Sequence, residues 1–169
     1  MSVNQGFTGR VYPPDAVYEV GREKIREFAE AVAGAPSHGL NAGGRPDAVV
    51  HPVHIDPQAA RDLGYPDVIA PPTFAVIIAQ RSDARFITDP AAGIDFSRVL
   101  HGEQSFTHHR PIVAGDRLVA TLHVDSVTVR AGSAMVVTRS EIATDSGEPV
   151  CTATSMLVVR GEDEQEASS

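Results

Sequence analysis

Residues 71–87 read PPTFAVIIAQRSDARFI, and the packing of the remaining chain follows from this stretch. The pair Pro71-Pro72 suits the first turn of a helix, where a missing N–H costs little. Apolar side chains then occur on nearly all sides as far as Ile78. A helix that is apolar on every side is normally buried. We therefore predict one buried helix over residues 71–84.

After this helix the apolar pattern changes to strict alternation. From Phe96 onward, long runs rich in β-branched residues are separated by turn-forming residues at 114–116, 131–133 and 145–148. Such runs predict an antiparallel meander. An antiparallel sheet with one apolar face needs a cover, and the helix over 71–84 is the large element available. The sequence thus predicts an α+β fold, with at least five antiparallel strands around one long central helix.

The first half of the chain contains two further helices and a loop. EVGREKIREFAEAVAG, residues 19–34, is an amphipathic helix that ends at Gly34, and residues 35–50 form a long Gly- and Pro-rich loop. A short helix then begins with Asp56 as N-cap and Pro57 in its first turn, and Gly64 ends it. Residues 161–169 are acidic and predicted to be a disordered tail, which leaves a single domain over 1–160.

Composition excludes several classes of function. The chain has 169 residues, 42% of them hydrophobic, and a net charge of -8 without a basic run, which argues against nucleic-acid binding. The longest apolar runs fall short of the roughly 20 residues that span a bilayer, so we expect a cytoplasmic protein with no membrane partner. Cys151 is the one cysteine, which excludes an intrachain disulfide. We predict that it is a small buried strand residue.

Residues 51–57, HPVHIDP, place two histidines and an aspartate close together. His51 and His54 lie in an extended, proline-containing segment without the further ligands that zinc requires, so no metal site is predicted. A nucleophile elbow, a phosphate-binding glycine loop and a dinucleotide fingerprint are absent from the sequence, and no organic cofactor is expected. His54 is an acid–base candidate, because an unperturbed histidine titrates at about 6.5. The alternative is a polar residue packed beside a helix start.

Three stretches together resemble a known family. YPDVIAPPTFAVI (65–77), RVLHGEQSFTHHRPIVAGDRL (98–118) and YPPDAVYEVGREKIREFAEAV (12–32) are similar to the MaoC-like (R)-hydroxyacyl dehydratases of the hot-dog fold. The similarity is greatest to the actinobacterial FAS1-like dehydratases, a group that includes the HadA-type subunit. It extends from about Tyr12 to Arg160.

This resemblance implies an activity and partners. The expected reaction is that of an (R)-3-hydroxyacyl thioester dehydratase or enoyl thioester hydratase, with the acyl group carried by CoA or ACP and no other cofactor. It also implies a homodimer, or a heterodimer with another hot-dog subunit, because single hot-dog domains pair their sheets edge to edge.

The family's catalytic motif, G-D-x-N-P-x-H, is only partly retained. Alignment with residues 51–54 puts His54 on the catalytic histidine and His51 on the asparagine, while the aspartate position falls on Val49. Valine cannot transfer a proton. The predicted catalytic pair is therefore His54 with Asp47, two residues before Val49, and His51 is a predicted substrate contact.

A second departure concerns the donors for the thioester oxygen. Many family members have a glycine after the dipeptide that aligns with Ala70-Pro71, and its N–H is an oxyanion contact. Here Pro72 occupies that position and has no N–H. The amides of Thr73 and Phe74 are the predicted substitutes, so Pro72, Thr73 and Phe74 complete the substrate-binding set.

Two classes of function remain open. Retention of His54 favours a lyase, whereas loss of the aspartate at Val49 favours a non-catalytic, HadA-like subunit that binds the acyl chain beside a catalytic partner. A hot-dog thioesterase is a weaker third alternative. His108 and His109 are adjacent on a predicted strand, so at most one of them is expected to face a given pocket.

Overall fold

The computed structural model describes residues 3–14, 16–34, 49–130 and 132–161. Most of the predicted 35–50 loop, including Asp47, and the acidic tail after Gly161 lie outside these residues. The α-helices are α1 (Arg22–Ala33), α2 (Pro57–Asp62) and α3 (Val76–Ile87). The strands are β1 (Val11–Tyr12), β2 (Tyr18–Glu19), β3 (Val99–His108), β4 (Arg117–Arg130), β5 (Ser133–Thr144) and β6 (Pro149–Val159).

The strands form one six-stranded sheet, in which the order β1-β4-β5-β6-β3 is joined by β2 pairing with β4. All these pairings are antiparallel, which confirms the predicted antiparallel sheet. The turns fall where the sequence placed them, and Gly132 and Gly147 adopt positive φ angles there. The short strands β1 and β2 were missed, because two residues are too few to show an alternating pattern.

The central helix is confirmed, but its predicted bounds of 71–84 were wrong. Residues 72–75 form tight turns, in which the Phe74 amide donates to the Pro71 carbonyl at 2.9 Å. The first α-type bond of this region joins the Ala79 amide to the Ala75 carbonyl at 3.0 Å, so α3 begins at Val76. The helix continues to Ile87 because Phe86 and Ile87 are buried.

The core has two clusters of buried residues. The first surrounds Phe74, whose ring packs against Phe28 of α1 at a centroid distance of 5.3 Å and against Tyr18 of β2 at 6.4 Å. The second surrounds Phe86 near the end of α3, whose ring lies 5.8 Å from that of Phe7. These contacts fix both ends of the helix. Cys151 is buried as predicted, and burial raises the pKa of its thiol to about 11.

The predicted end of α1 and the predicted start and end of α2 are confirmed. Gly34 has a left-handed conformation at the end of α1, and the Asp56 carboxylate accepts a hydrogen bond from the Gln58 amide at 2.8 Å at the start of α2. Gly64, with a φ of 89°, follows α2. In the described part of the chain, no helix combines the length and the apolar character needed to cross a membrane.

Candidate active site

The segment that carries His54 is a short 3-10 helix, Pro52–His54. His51 precedes it as N-cap, and its Nδ1 accepts a hydrogen bond from the Val53 amide at 3.2 Å. The Val53 side chain is buried and anchors the turn. The residue types of this motif thus have a local structural role, which is to hold His54 in place.

His54 is half-buried, and one edge of its ring is fixed. Its Nδ1 lies 2.7 Å from the carbonyl oxygen of Ile69. A carbonyl oxygen only accepts, so the proton of the neutral ring is on Nδ1 and Nε2 carries a lone pair. Ile69 is itself held, because its amide donates to the Val53 carbonyl at 3.2 Å and it bridges to Val113. The arrangement leaves Nε2 as a proton acceptor.

His54 borders an open cavity of about 480 Å³. One side of the cavity is the chain leading to α3, and the other is the chain that follows β3. Most of its lining is apolar, and the polar groups are contributed by histidines and one arginine. The lining residues are His54, Ile69, Ala70, Pro71, Pro72, His108, His109, Arg110, Pro111 and Ile112. An apolar cavity with few polar groups suits an acyl chain with a polar head.

Both His108 and His109 line this cavity, so the prediction that at most one would do so was wrong. Strand β3 ends at His108 and the chain bends at His109, which ends the alternation of side chains. His108 donates from Nε2 to the carbonyl oxygen of Pro72 at 2.8 Å. Nε2 of His109 lies 3.3 Å from the Thr152 hydroxyl.

The turn before α3 gives different surroundings to the two predicted oxyanion donors, the amides of Thr73 and Phe74. Pro72 is exposed and lines the cavity, and the Thr73 amide that follows it has no acceptor among the described residues. The Phe74 amide is already bonded to Pro71, and the Phe74 ring is completely buried in the core. Of the two predicted donors, the Thr73 amide is the one without an acceptor among the described residues, and Thr73 adjoins the lining residue Pro72 but is not itself a lining residue.

The carboxylate predicted to assist His54 is that of Asp47. Asp47 lies outside the described residues, and its role stays a prediction. Val49, at the family's aspartate position, is 84% exposed. No Asp or Glu is among the described residues that line the cavity. His51 is exposed with its ring centroid 6.2 Å from that of His54, and its role as a substrate contact also stays a prediction.

Arg110 is a structural residue of the cavity that the sequence reasoning missed. Its guanidinium donates to both carboxylate oxygens of Asp116, at 2.8 and 3.0 Å, and to Glu148 at 3.0 Å. These hydrogen bonds, those to Asp116 first, raise the pKa of Arg110. The signal was present in RPIVAGD, residues 110–116, where an arginine and an aspartate flank a turn. The pair holds the cavity's outer wall.

Asp83 is a second missed residue, at the other end of α3. It is 1% exposed, and its Oδ1 accepts a hydrogen bond from the Thr138 hydroxyl at 2.7 Å. Burial is the main cause of the raised pKa of this carboxyl. Across the residues that the structure describes, no group of three His, Cys, Asp or Glu side chains is placed to hold a metal ion.

Comparison with known proteins is consistent with this geometry. The sequence profile of a family described as FAS1-like, dehydratase domain region, matches residues 6–153. A UPF0336 protein of Saccharopolyspora erythraea is 52% identical over 161 residues, which cover 95% of this chain and 94% of that protein. A UPF0336 protein of Streptomyces avermitilis is 47% identical over 164 residues, covering 97% of this chain and 99% of that protein.

Solved structures show the same architecture. The crystal structure of a C-terminally truncated HadBC (3R-hydroxyacyl-ACP dehydratase) complex from Mycobacterium tuberculosis has a TM-score of 0.71 and 33% identity, covering 90% of this chain and 96% of that one. A MaoC-like dehydratase has a TM-score of 0.77 and 33% identity, covering 95% of this chain and 44% of that one. The fold is the hot-dog fold, and an activity of the hydratase or dehydratase kind is supported. The chain belongs to the FAS1-like dehydratase family.

Proposed function

We propose that this protein interconverts (R)-3-hydroxyacyl thioesters and enoyl thioesters, with the acyl group carried by CoA or ACP and His54 as the acid–base group. The observation that carries the proposal is the hydrogen bond from His54 Nδ1 to the Ile69 carbonyl, at 2.7 Å. It leaves Nε2 with a lone pair, and His54 lines an apolar cavity large enough for an acyl chain. The tautomer and the location of His54 therefore both suit a general base.

In the hydration direction, Nε2 of His54 takes a proton from water while the water oxygen bonds to C3 of the enoyl group. The π electrons of the C2–C3 double bond move toward the thioester, and negative charge develops on its oxygen. The enolate is then protonated at C2. The imidazolium of His54 can return the proton that it took, and Asp47 is the proposed second group for this step. Dehydration follows the same steps in reverse.

The developing charge on the thioester oxygen needs a hydrogen-bond donor. Pro72 has none, and the Phe74 amide is bonded to Pro71. We assign this role to the Thr73 amide, which has no acceptor among the described residues. The donor is thus one residue later than the family's glycine.

A second hot-dog subunit is the proposed partner. Strand β3 pairs with β6 along one edge, and no described strand pairs with its other edge. Most of its ten residues are exposed. A long unpaired edge strand promotes aggregation, and pairing with a second subunit removes that hazard. The similar HadBC structure is itself a complex of two subunits.

A non-catalytic, acyl-binding subunit is the second candidate function. Val49 at the family's aspartate position and the absence of a carboxylate from the described cavity lining favour it. In that case the partner subunit would carry the complete acid–base pair. The two candidates differ in whether His54 contributes to turnover.

The deciding experiment measures hydration of crotonyl-CoA and longer enoyl-CoA thioesters by the purified protein and by its His54→Asn variant. Asn keeps an N–H donor near the Nδ1 position for the Ile69 carbonyl but removes the base. We expect a loss of about 10²–10⁴-fold in kcat. Thr128→Asn, at an exposed position on β4 and outside this cavity, is the control and should retain activity. Wild-type protein without hydratase activity, alone or with a hot-dog partner, would contradict the enzyme proposal.

A further inference from the structure

The hydrogen bond between His108 and Pro72 joins the end of β3 to the turn before α3. Nε2 of His108 lies 2.8 Å from the Pro72 carbonyl oxygen. Because a carbonyl only accepts, Nε2 holds the proton of this bond. His108 therefore does not have a free Nε2, unlike His54, and is unsuited to take a proton from substrate with that atom.

The ring of His108 is held from a second side. It stacks on Phe106, with centroids 6.2 Å apart and an interplanar angle of 27°. Phe106 packs against the first core cluster, and His108 is paired with Cys151 of β6 in the sheet. The sheet thus sets the position of the imidazole, and the imidazole sets the position of the Pro72 carbonyl.

The Pro72 carbonyl and the Thr73 amide belong to one peptide group. That peptide is planar and trans, because the described residues contain no cis bond, so its C=O and N–H point in opposite directions. Fixing the carbonyl therefore fixes the direction of the amide. A hydrogen bond accepted at the carbonyl also polarises the peptide and makes its N–H a better donor.

We propose that His108 is a positioning residue, which holds and polarises the Pro72–Thr73 peptide so that the Thr73 amide donates to the thioester oxygen. This inference rests on the proposed hydratase function. It explains how a site with proline at the family's glycine position retains an oriented donor. The adjacent His109 has a different role, because its Nε2 lies beside the Thr152 hydroxyl and not beside the turn.

The test uses two variants of His108 and one control. His108→Phe retains an aromatic ring on Phe106 but cannot donate, whereas His108→Gln restores an N–H at a similar distance along the side chain. Thr128→Phe, at an exposed position on β4 and outside the cavity, is the control. Circular dichroism and thermal unfolding verify that each variant is folded.

The first readout is the amide resonance of Thr73 in ¹⁵N-labelled protein, which needs no substrate. We expect it to move in His108→Phe, to return toward the wild-type position in His108→Gln, and to stay in place in Thr128→Phe. The second readout is crotonyl-CoA hydration. We expect His108→Phe to lower kcat by about 10-fold or more, below the full loss for an oxyanion donor, with KM little changed and with rescue by His108→Gln.

The outcomes separate this inference from the proposed function. An unchanged Thr73 resonance in folded His108→Phe would overturn the positioning role whatever the activity. A changed resonance with wild-type kcat would also overturn it, because the amide would then not serve the reaction. If the wild-type protein hydrates no enoyl thioester, the proposed function fails, and with it the catalytic purpose assigned to His108, while the resonance still reports whether His108 orients the peptide.

Discussion

Two ionisable side chains, one near the start of α3 and one in its last turns, differ in burial and in hydrogen bonding. Near the start of the helix, His54 is half-buried, has its Nδ1 hydrogen-bonded to a backbone carbonyl and lines an open cavity. In the last turns, Asp83 is 1% exposed, and its Oδ1 accepts a hydrogen bond from the Thr138 hydroxyl at 2.7 Å. His54 is the proposed acid–base group at the first end, whereas at the second end burial disfavours the charged form of Asp83.

The difference shows that burial and hydrogen bonding together decide what an acid–base residue can do. Desolvation disfavours the ionised form of Asp83, so the pKa of its carboxyl is raised. The one fixed bond of His54 selects a tautomer without closing access to Nε2. An acidic residue inside the hot-dog helix is therefore a feature of the core, and the reactive end lies before the helix begins.

The largest effect that would sharpen this comparison concerns Asp47. If its carboxylate serves as the second acid–base group, Asp47→Asn should reduce enoyl-thioester hydration by about 10²–10⁴-fold, as for His54→Asn, without changing thermal stability. Steady-state kinetics with crotonyl-CoA provide the measurement. Full activity in Asp47→Asn beside a severe loss in His54→Asn would leave His54 without this partner.

The next effect concerns stability at the buried end. Because the folded-state pKa of Asp83 is above its ordinary value, the native state holds the proton more tightly than the unfolded chain. Its contribution to stability is therefore fully present below the ordinary pKa and is lost as pH rises through the raised folded-state pKa. Asp83→Asn keeps an oxygen for Thr138 and removes the charge, so we expect it to be more stable than the wild type at neutral pH.

Urea unfolding of both proteins at a series of pH values measures this effect. The gain at neutral pH should be about 1–3 kcal/mol, the usual cost of an unsatisfied buried polar group, and it should shrink toward low pH. Hydratase activity should be unaffected, because Asp83 does not line the His54 cavity. A variant whose deficit in stability grows as pH rises would mean that the ionised carboxylate is favoured in the core.

The smallest effect concerns the turn before α3. Pro72→Gly retains the carbonyl that accepts from His108 and adds the N–H that the family's glycine has, so turnover or thioester affinity should rise by up to about 10-fold, the value of one net hydrogen bond. Stability should fall by about 0.5–1 kcal/mol, because glycine increases the entropy of the unfolded chain. Kinetics and urea unfolding measure the two effects. A folded variant with unchanged turnover and affinity would exclude this position as an oxyanion contact.

Much of the fold was predictable because it depends on neighbours in sequence. The alternation of β4, β5 and β6, the N-cap Asp56 and the end of α1 at Gly34 all rest on residues within a few positions of one another. The resemblance to the family's motif selected His54, and the residue type alone shows that Pro72 has no N–H to donate. Local spacing was insufficient at residues 71–75, where two prolines favour tight turns and delay the helix to Val76.

The chemistry of the site depends on contacts between residues far apart in the chain. His54 meets the Ile69 carbonyl 15 positions away, His108 meets Pro72 at 36 positions, and Thr138 meets Asp83 at 55. Residue types and their periodicity predict which faces of a helix or strand are apolar. They do not predict which carbonyl oxygen accepts a hydrogen bond from a histidine ring. The choice of tautomer at His54, the orientation of the Thr73 amide and the raised pKa of Asp83 follow from packing α3 and its preceding turn against the sheet, because only that packing brings these partners within hydrogen-bond distance and excludes water from one of them.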